Sequence, residues 1–178
     1  MESAVRMAGA LGPRAGGRAE RCSIAAALEV IGARSSFLIL REAFYGTSRF
    51  DDFARRAGIS EPVTAARLRE LVAHGLLERE PYRVPGQRTR ERYRLTRMGI
   101  ELFPALAALL QWGDRWLEGV GGVELRHQEC GERAGIELRC DAGHTVGPGE
   151  LELAARRRGA RAPGARHATH DQKEAGDV

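Results

Sequence analysis

Between Ser48 and Thr96 the chain runs through an amphipathic helix, a short glycine-containing turn, a second helix and an arginine-loaded hairpin, an order that few folds can accommodate. In the first helix Phe50, Phe53, Ala54 and Ala57 fall at helical spacing, and Gly58 can take the left-handed conformation that ends such a helix. Ser60 then stands as an N-cap, Pro62 and Val63 occupy the opening turn, and Val63, Leu68, Leu71 and Val72 form the expected buried stripe of a helix that Gly75 closes. Two short helices around such a turn make a helix-turn-helix.

The hairpin follows at once. Leu77 and Tyr82 on one side and Tyr93 and Leu95 on the other flank a Pro85-Gly86 turn signal, which predicts two strands with a long tip. From Arg83 to Arg97 there are six arginines (Arg83, Arg88, Arg90, Arg92, Arg94, Arg97) against the single acid Glu91, and phosphates are the natural counter-charge for such an array. The expected fold class is therefore mainly α with a small antiparallel β-hairpin: a winged helix-turn-helix with terminal dimerisation helices.

Length allows one main core: 178 residues with 43% hydrophobic content suit one domain and a small appendage. The net charge of +4 says little by itself, because Lys173 is the only lysine and composition bias could supply the arginine. Clustering in the hairpin is the better signal, since bias alone would scatter it. No apolar run reaches the length of a membrane span and no secretory signal pattern is seen, so a cytoplasmic protein without a membrane partner is expected. In a reducing compartment Cys22, Cys130 and Cys140 are not expected to form a disulfide framework.

Residues 1–21 and 156–178 are rich in Gly, Ala and Arg without periodicity and read as disordered arms, the second a basic tail. Between them, residues 22–118 read as the DNA-binding domain and 119–155 as a small extension. Residues 22–32 read as an apolar helix ending in Gly32, and residues 34–45 as a second one ending at Gly46. Thr96 can cap the final helix, where Leu102, Leu106, Leu109, Leu110, Trp112, Gly113 and Trp116 make a stripe too wide for a lone helix. The economical reading packs the first and last helices together and against a second copy, with Leu102, Leu106, Leu109, Trp112 and Trp116 in the interface.

Taken in order, CSIAAALEVIGAR, FLILREAFYGTSRFDDFARRAGIS, LRELVAHGLLERE, YRLTRMG and QWGDRW resemble the HxlR family of bacterial transcription regulators, over about Cys22 to Leu117. That resemblance implies homodimeric winged helix-turn-helix proteins, with residues 60–74 as recognition helix and 76–95 as wing. Two departures stand out: Ser35 where the family usually has Trp, and a wing longer and more basic than that of many relatives.

On the recognition helix Ser60, Glu61, Thr64, Ala65 and Arg67 are the candidates for DNA contact, with Arg67 able to read guanine in bidentate fashion or to pair with Glu70 or Glu61 instead. Ser48 and Arg49 suit phosphate contact at a helix start. In the wing, Arg83, Gln87, Arg88 and Arg90 are expected on the backbone or in the minor groove. Cys22 heads the first helix, where the helix dipole and Arg21 favour a thiolate; the resemblance implies a redox sensor there, and the alternative is a small residue capping the dimer core. His127, Cys130, Cys140 and His144, spaced H-x2-C and C-x3-H, could hold zinc, or could belong to a metal-free hairpin.

No phosphate-binding glycine loop, nucleophile elbow or paired carboxylates in an apolar setting is present, so no enzyme and no required cofactor are expected. The leading expectation is a sequence-specific regulator that binds double-stranded DNA as a homodimer, its effector unknown. Two alternatives remain: a winged-helix protein-interaction module and a zinc-dependent nucleic-acid-processing factor.

Overall fold

The computed structural model describes residues 5–8, 22–83, 89–119 and 121–154. Its elements are β1 (Arg6–Ala8), α1 (Ser23–Ile31), α2 (Arg34–Phe44), α3 (Phe50–Ala57), α4 (Glu61–Ala73), β2 (Leu77–Tyr82), β3 (Arg90–Leu95), α5 (Arg97–Ile100), α6 (Phe103–Trp116) and β4 (Glu152–Ala154). They divide into two compact units, residues 17–145 and, separately, residues 1–16 with 146–178.

The larger unit is organised around α2, which packs on α1, α3, α4, α6 and β3. Ile31, Ile39, Leu40, Phe53, Leu68, Leu71, Leu76 and Leu77 form one buried cluster that runs from α1 to the base of the hairpin. The Phe53 ring meets Tyr93 edge-on at 6.1 Å, so the same core holds α3 and β3. Gly58 ends α3 in the left-handed region (φ 64°), donating its N–H to the Ala54 carbonyl, as the sequence leads one to expect.

The buried stripe of α4 differs from the expected one. Thr64, Leu68 and Leu71 face the core at i, i+4, i+7 spacing, and Val63, one residue earlier and therefore about 100° away around the helix, is 40% exposed. Ser60 occupies the N-cap position without a side-chain capping bond.

β2 and β3 pair antiparallel in the register Leu77↔Leu95, Glu78↔Arg94 and Glu80↔Arg92. Thr96 then makes a double clasp: its hydroxyl accepts from the Gly99 N–H at 3.1 Å and donates to the Gly75 carbonyl at 2.5 Å. Gly99 is needed in this crossing, because a Cβ there would stand 2.2 Å from the Leu76 carbonyl oxygen. The helix that Thr96 caps lasts only through Ile100, and a second one starts at Phe103 with Pro104 in its first turn. One continuous final helix is the expectation; Pro104 has no N–H to give the Ile100 carbonyl and its ring crowds that group, so the first helix ends there and a second begins.

Residues 121–145 carry two tight turns, bounded by the bridges Arg126↔Arg133 and Arg139↔Thr145, with Gly131 and Gly143 at positive φ. Gln111 of α6 clamps this segment like a short strand partner, accepting the Ile136 N–H at 2.8 Å and donating to the Ile136 carbonyl at 3.5 Å. Part of the apolar face of α6 is thus covered by the chain's own extension. Among the described residues α1 and α6 each pack on α2, with little direct contact between them within one chain.

In the smaller unit, β1 pairs in parallel with β4, Arg6 opposite Glu152 and Ala8 opposite Ala154. The reading of residues 1–21 as one unstructured arm is corrected over Arg6–Ala8. Three residues are too few to show periodicity, and the pairing partner lies at the far end of the sequence. The remainder of that arm and the basic tail lie outside the described residues.

Candidate nucleic-acid interface

The face of α4 turned away from the core is what a nucleic acid could meet. Glu61 and Ser60 are exposed there, and Ala65 is half-buried. Thr64 is not available, since it is fully buried, its hydroxyl without a hydrogen-bond partner among the described residues. Its expected base contact is therefore corrected: the helix is phased with Thr64 in the core. Arg67 is half-buried and its guanidinium pairs with Glu70, the helix-neighbour alternative to a DNA contact. The phase brings out instead Val63 and Arg69. Arg69 is exposed, donates from Nε to the Ala65 carbonyl at 3.2 Å, and faces no acid among the described residues. Placing Thr64 and not Val63 on the buried stripe would have found Arg69 from sequence.

The hairpin arginines fall into two classes. Arg92 and Arg94 both reach Glu80 across the strands, at 2.9 and 3.2 Å, and Arg79 pairs with Glu91 at 3.5 Å. Hydrogen bonds from Arg92 and then Arg94 hold the Glu80 carboxyl below the usual carboxylate range, and Glu80 in turn raises Arg92. Arg90 has no acid partner among the described residues, and Arg83 donates to the Thr89 hydroxyl at 2.9 Å. Arg83 and Arg90 therefore remain open to phosphate. Gln87 and Arg88, together with the Pro85-Gly86 turn, lie outside the described residues. Expected from sequence as six cations against one acid, the hairpin is in fact partly neutralised by Glu80, which sits on the opposite strand and is brought in by the register.

Arg49, the N-cap of α3, lies over the Tyr82 ring at 5.3 Å. Together with Arg90 and Tyr93 it borders a cleft between the start of α3 and the root of the hairpin, where Asp51 and Asp52 also stand. Ser48 is half-buried, and its carbonyl accepts the Tyr93 N–H at 2.8 Å, so backbone hydrogen bonding ties the helix-turn-helix to the hairpin.

Elsewhere, Cys22 is exposed at the head of α1. His127 and Cys130 come together, Nδ1 to Sγ at 3.2 Å, while Cys140 and His144 are joined only through backbone, Cys140 N–H to the His144 carbonyl at 3.0 Å. Among the described residues no group of three or more His, Cys, Asp or Glu side chains is gathered as a metal ion would require. The four-ligand set His127, Cys130, Cys140, His144 is therefore not assembled among the described residues, and Gly143, at φ 88°, forms the turn between Cys140 and His144. Of the expected interface residues Leu109, Trp112 and Trp116 are more than half exposed, whereas Leu102 packs against the core and Leu106 is half-buried. Ile24 and Leu28 of α1 add to the exposed apolar surface. Among the described residues no single helix is long and apolar enough to cross a membrane.

The family model described as HxlR-like helix-turn-helix matches residues 30–120. An uncharacterized HTH-type transcriptional regulator of Mycobacterium tuberculosis, Rv3095, is 46% identical over 125 residues, which span 69% of this chain and 78% of the relative. Another such regulator, sll1512 of Synechocystis, is 35% identical over 98 residues, 54% of this chain and 71% of its own. Among solved structures, the crystal structure of PA1607 superposes with a TM-score of 0.68 at 32% identity, covering 76% of this chain and 96% of that one. A second, PA1374 from Pseudomonas aeruginosa, gives 0.54 at 32% identity, covering 82% and 96%. Both the matched span and the helix-turn-helix-wing order found in the structure agree, and the chain belongs to the HxlR-like helix-turn-helix family.

Proposed function

We propose that the protein is a DNA-binding transcription regulator that acts as a homodimer, with α4 in the major groove and the hairpin as a wing on the backbone or in the minor groove. The observation that carries this reading is the two-faced setting of α4. Thr64, Leu68 and Leu71 anchor one side in the core, and Glu61, Val63 and an Arg69 without an acid partner among the described residues are exposed around the rest of the helix. A helix fixed in this way can present base-reading groups at defined positions. Arg83 and Arg90 supply positioning contacts that carry no sequence information. The named relatives are regulators, which favours this reading over an enzymatic one.

The direct test is binding to the intergenic DNA beside the gene, against unrelated duplex, across a salt series. We expect a steep fall of affinity with salt for both and a clear preference for one site. Arg69→Ala should cost the preferred site about 1–3 kcal/mol and the unrelated duplex less. Salt-insensitive or absent binding would make the winged helix a protein-interaction module. Cys22, exposed beside the apolar surface of α1, is the proposed redox input: diamide should weaken binding reversibly in the wild type and not in Cys22→Ser.

A further inference from the structure

A cavity of about 250 Å³ lies between α2 and α6, under the extension. Phe37 and Leu38 form one wall and Phe103, Leu109 and Leu110 the other, Leu109 being also a residue of the expected dimer interface, and Leu125 of the extension borders it. The lining residues that carry a polar side-chain group are Arg41 and Tyr45. An apolar hollow of this size gives ordered water almost nothing to bond to, and filling it with apolar atoms releases the wall from solvent. We propose that it is an effector site for a small, neutral, mostly aromatic molecule carrying a single hydrogen-bond acceptor such as a ketone oxygen.

Charge selects the class. Arg41 donates through Nε and Nη2 to the Glu42 carboxylate, at 3.0 and 2.6 Å, which neutralises it and leaves Nη1 for an acceptor. The Arg41 charge is already balanced by Glu42, so an anion gains little from it, a cation meets a guanidinium, and the apolar walls return neither ion the hydration it would lose. A neutral acceptor can take a bond from Arg41 or Tyr45 while its ring fills the apolar space.

The same residues lead to the DNA-binding parts. Glu42 is buried, and its second carboxylate oxygen accepts from the Thr47 hydroxyl at 3.4 Å, while its carbonyl accepts the Thr47 N–H at 2.9 Å. Thr47 is followed by Ser48, whose carbonyl holds the Tyr93 amide of the hairpin. A ligand that draws Arg41 toward the cavity therefore loosens Glu42 and, through Thr47 and Ser48, shifts the entry to α3 and the root of the wing. This coupling rests on the DNA-binding reading; the cavity itself does not.

The experiment uses the full chain and the solvatochromic naphthyl ketone Prodan as probe. Wild type should give saturable, blue-shifted emission, and saturating Prodan should change its affinity for duplex DNA at least about threefold. Leu38→Trp and Leu110→Trp fill the cavity from opposite walls, and each should raise the Prodan dissociation constant at least about tenfold. Tyr45→Phe, at an exposed position, should raise it less and serves where a tryptophan variant does not fold. No saturable binding, or binding unchanged in variants that fold, overturns the site. Conversion of a dimer to monomer by the tryptophans, without Prodan binding in the wild type, assigns the cavity to a second copy and overturns it as well. Prodan binding that leaves DNA affinity unmoved overturns the coupling. If the Prodan pattern holds and no duplex is bound under any condition, the site stands and the DNA-binding reading falls.

Discussion

Thr64 shows how one residue can change the meaning of a helix. Its hydroxyl is buried without a partner among the described residues, a setting that costs about 1–3 kcal/mol relative to a methyl group of the same shape. Thr64→Val should therefore raise stability, by about 1 kcal/mol or more, and leave DNA binding intact. A chemical denaturation curve with an operator titration checks both. A large loss of operator affinity without a loss of stability would return Thr64 to the interface. Arg67 and Arg69, two positions apart, divide in the same way: the first is spent on Glu70, the second faces outward.

Among the elements the hairpin is governed by Glu80. Because Arg92 and Arg94 hold its carboxyl below the usual range, the strand-to-strand bridge is complete above the ordinary carboxylate pKa. It is lost as pH falls through the depressed value, so at neutral pH it is fully formed. A carboxyl NMR titration of Glu80 should show this low midpoint, and Arg92→Gln should move it back up. Glu80→Gln should free two cations, strengthen binding to all duplexes alike and steepen the salt slope by about one for each new phosphate contact. An unchanged slope would place Arg92 and Arg94 away from the DNA. The extension depends in a similar way on Gln111. Replacing it with Ala removes both bonds to Ile136, at a cost of about 1 kcal/mol, and should speed hydrogen exchange at the Ile136 amide while the amides of α4 stay protected.

For the molecule as a whole, the exposed surfaces of α1 and α6 are the feature that calls for a partner. Ile24, Leu28, Leu109, Trp112 and Trp116 are all more than half exposed, a larger apolar display than scattered surface residues need. A second copy is the expected cover, and light scattering at micromolar concentration should find dimers. Leu109→Ala with Trp112→Ala should raise the dimer dissociation constant at least about tenfold through lost burial, and a monomeric wild type would remove the idea. Such a dimer would also set the distance between the two α4 helices, and so the half-site spacing of the DNA.

Much of this was legible locally. Gly58, Gly75, the Thr96 cap and the spacing of Phe53 and Ala57 act within a few residues of themselves, so helix ends and element order could be read directly from the chain. The arginine-rich hairpin was visible for the same reason. What sequence could not settle was whatever depends on groups far apart along the chain or on small rotations. Whether Val63 or Thr64 points inward is a turn of about 100°, decided by which side chain fits against α2 and α3. Glu80 neutralises Arg92 and Arg94 only because the register sets them opposite, and Leu125 borders a cavity on helices it follows at a distance. The sequence determined the elements and their order, because those follow from near-neighbour sterics and hydrogen bonding. Which side chains remain free to act was decided by the tertiary structure, because burial and charge pairing are set by packing between distant parts of the chain.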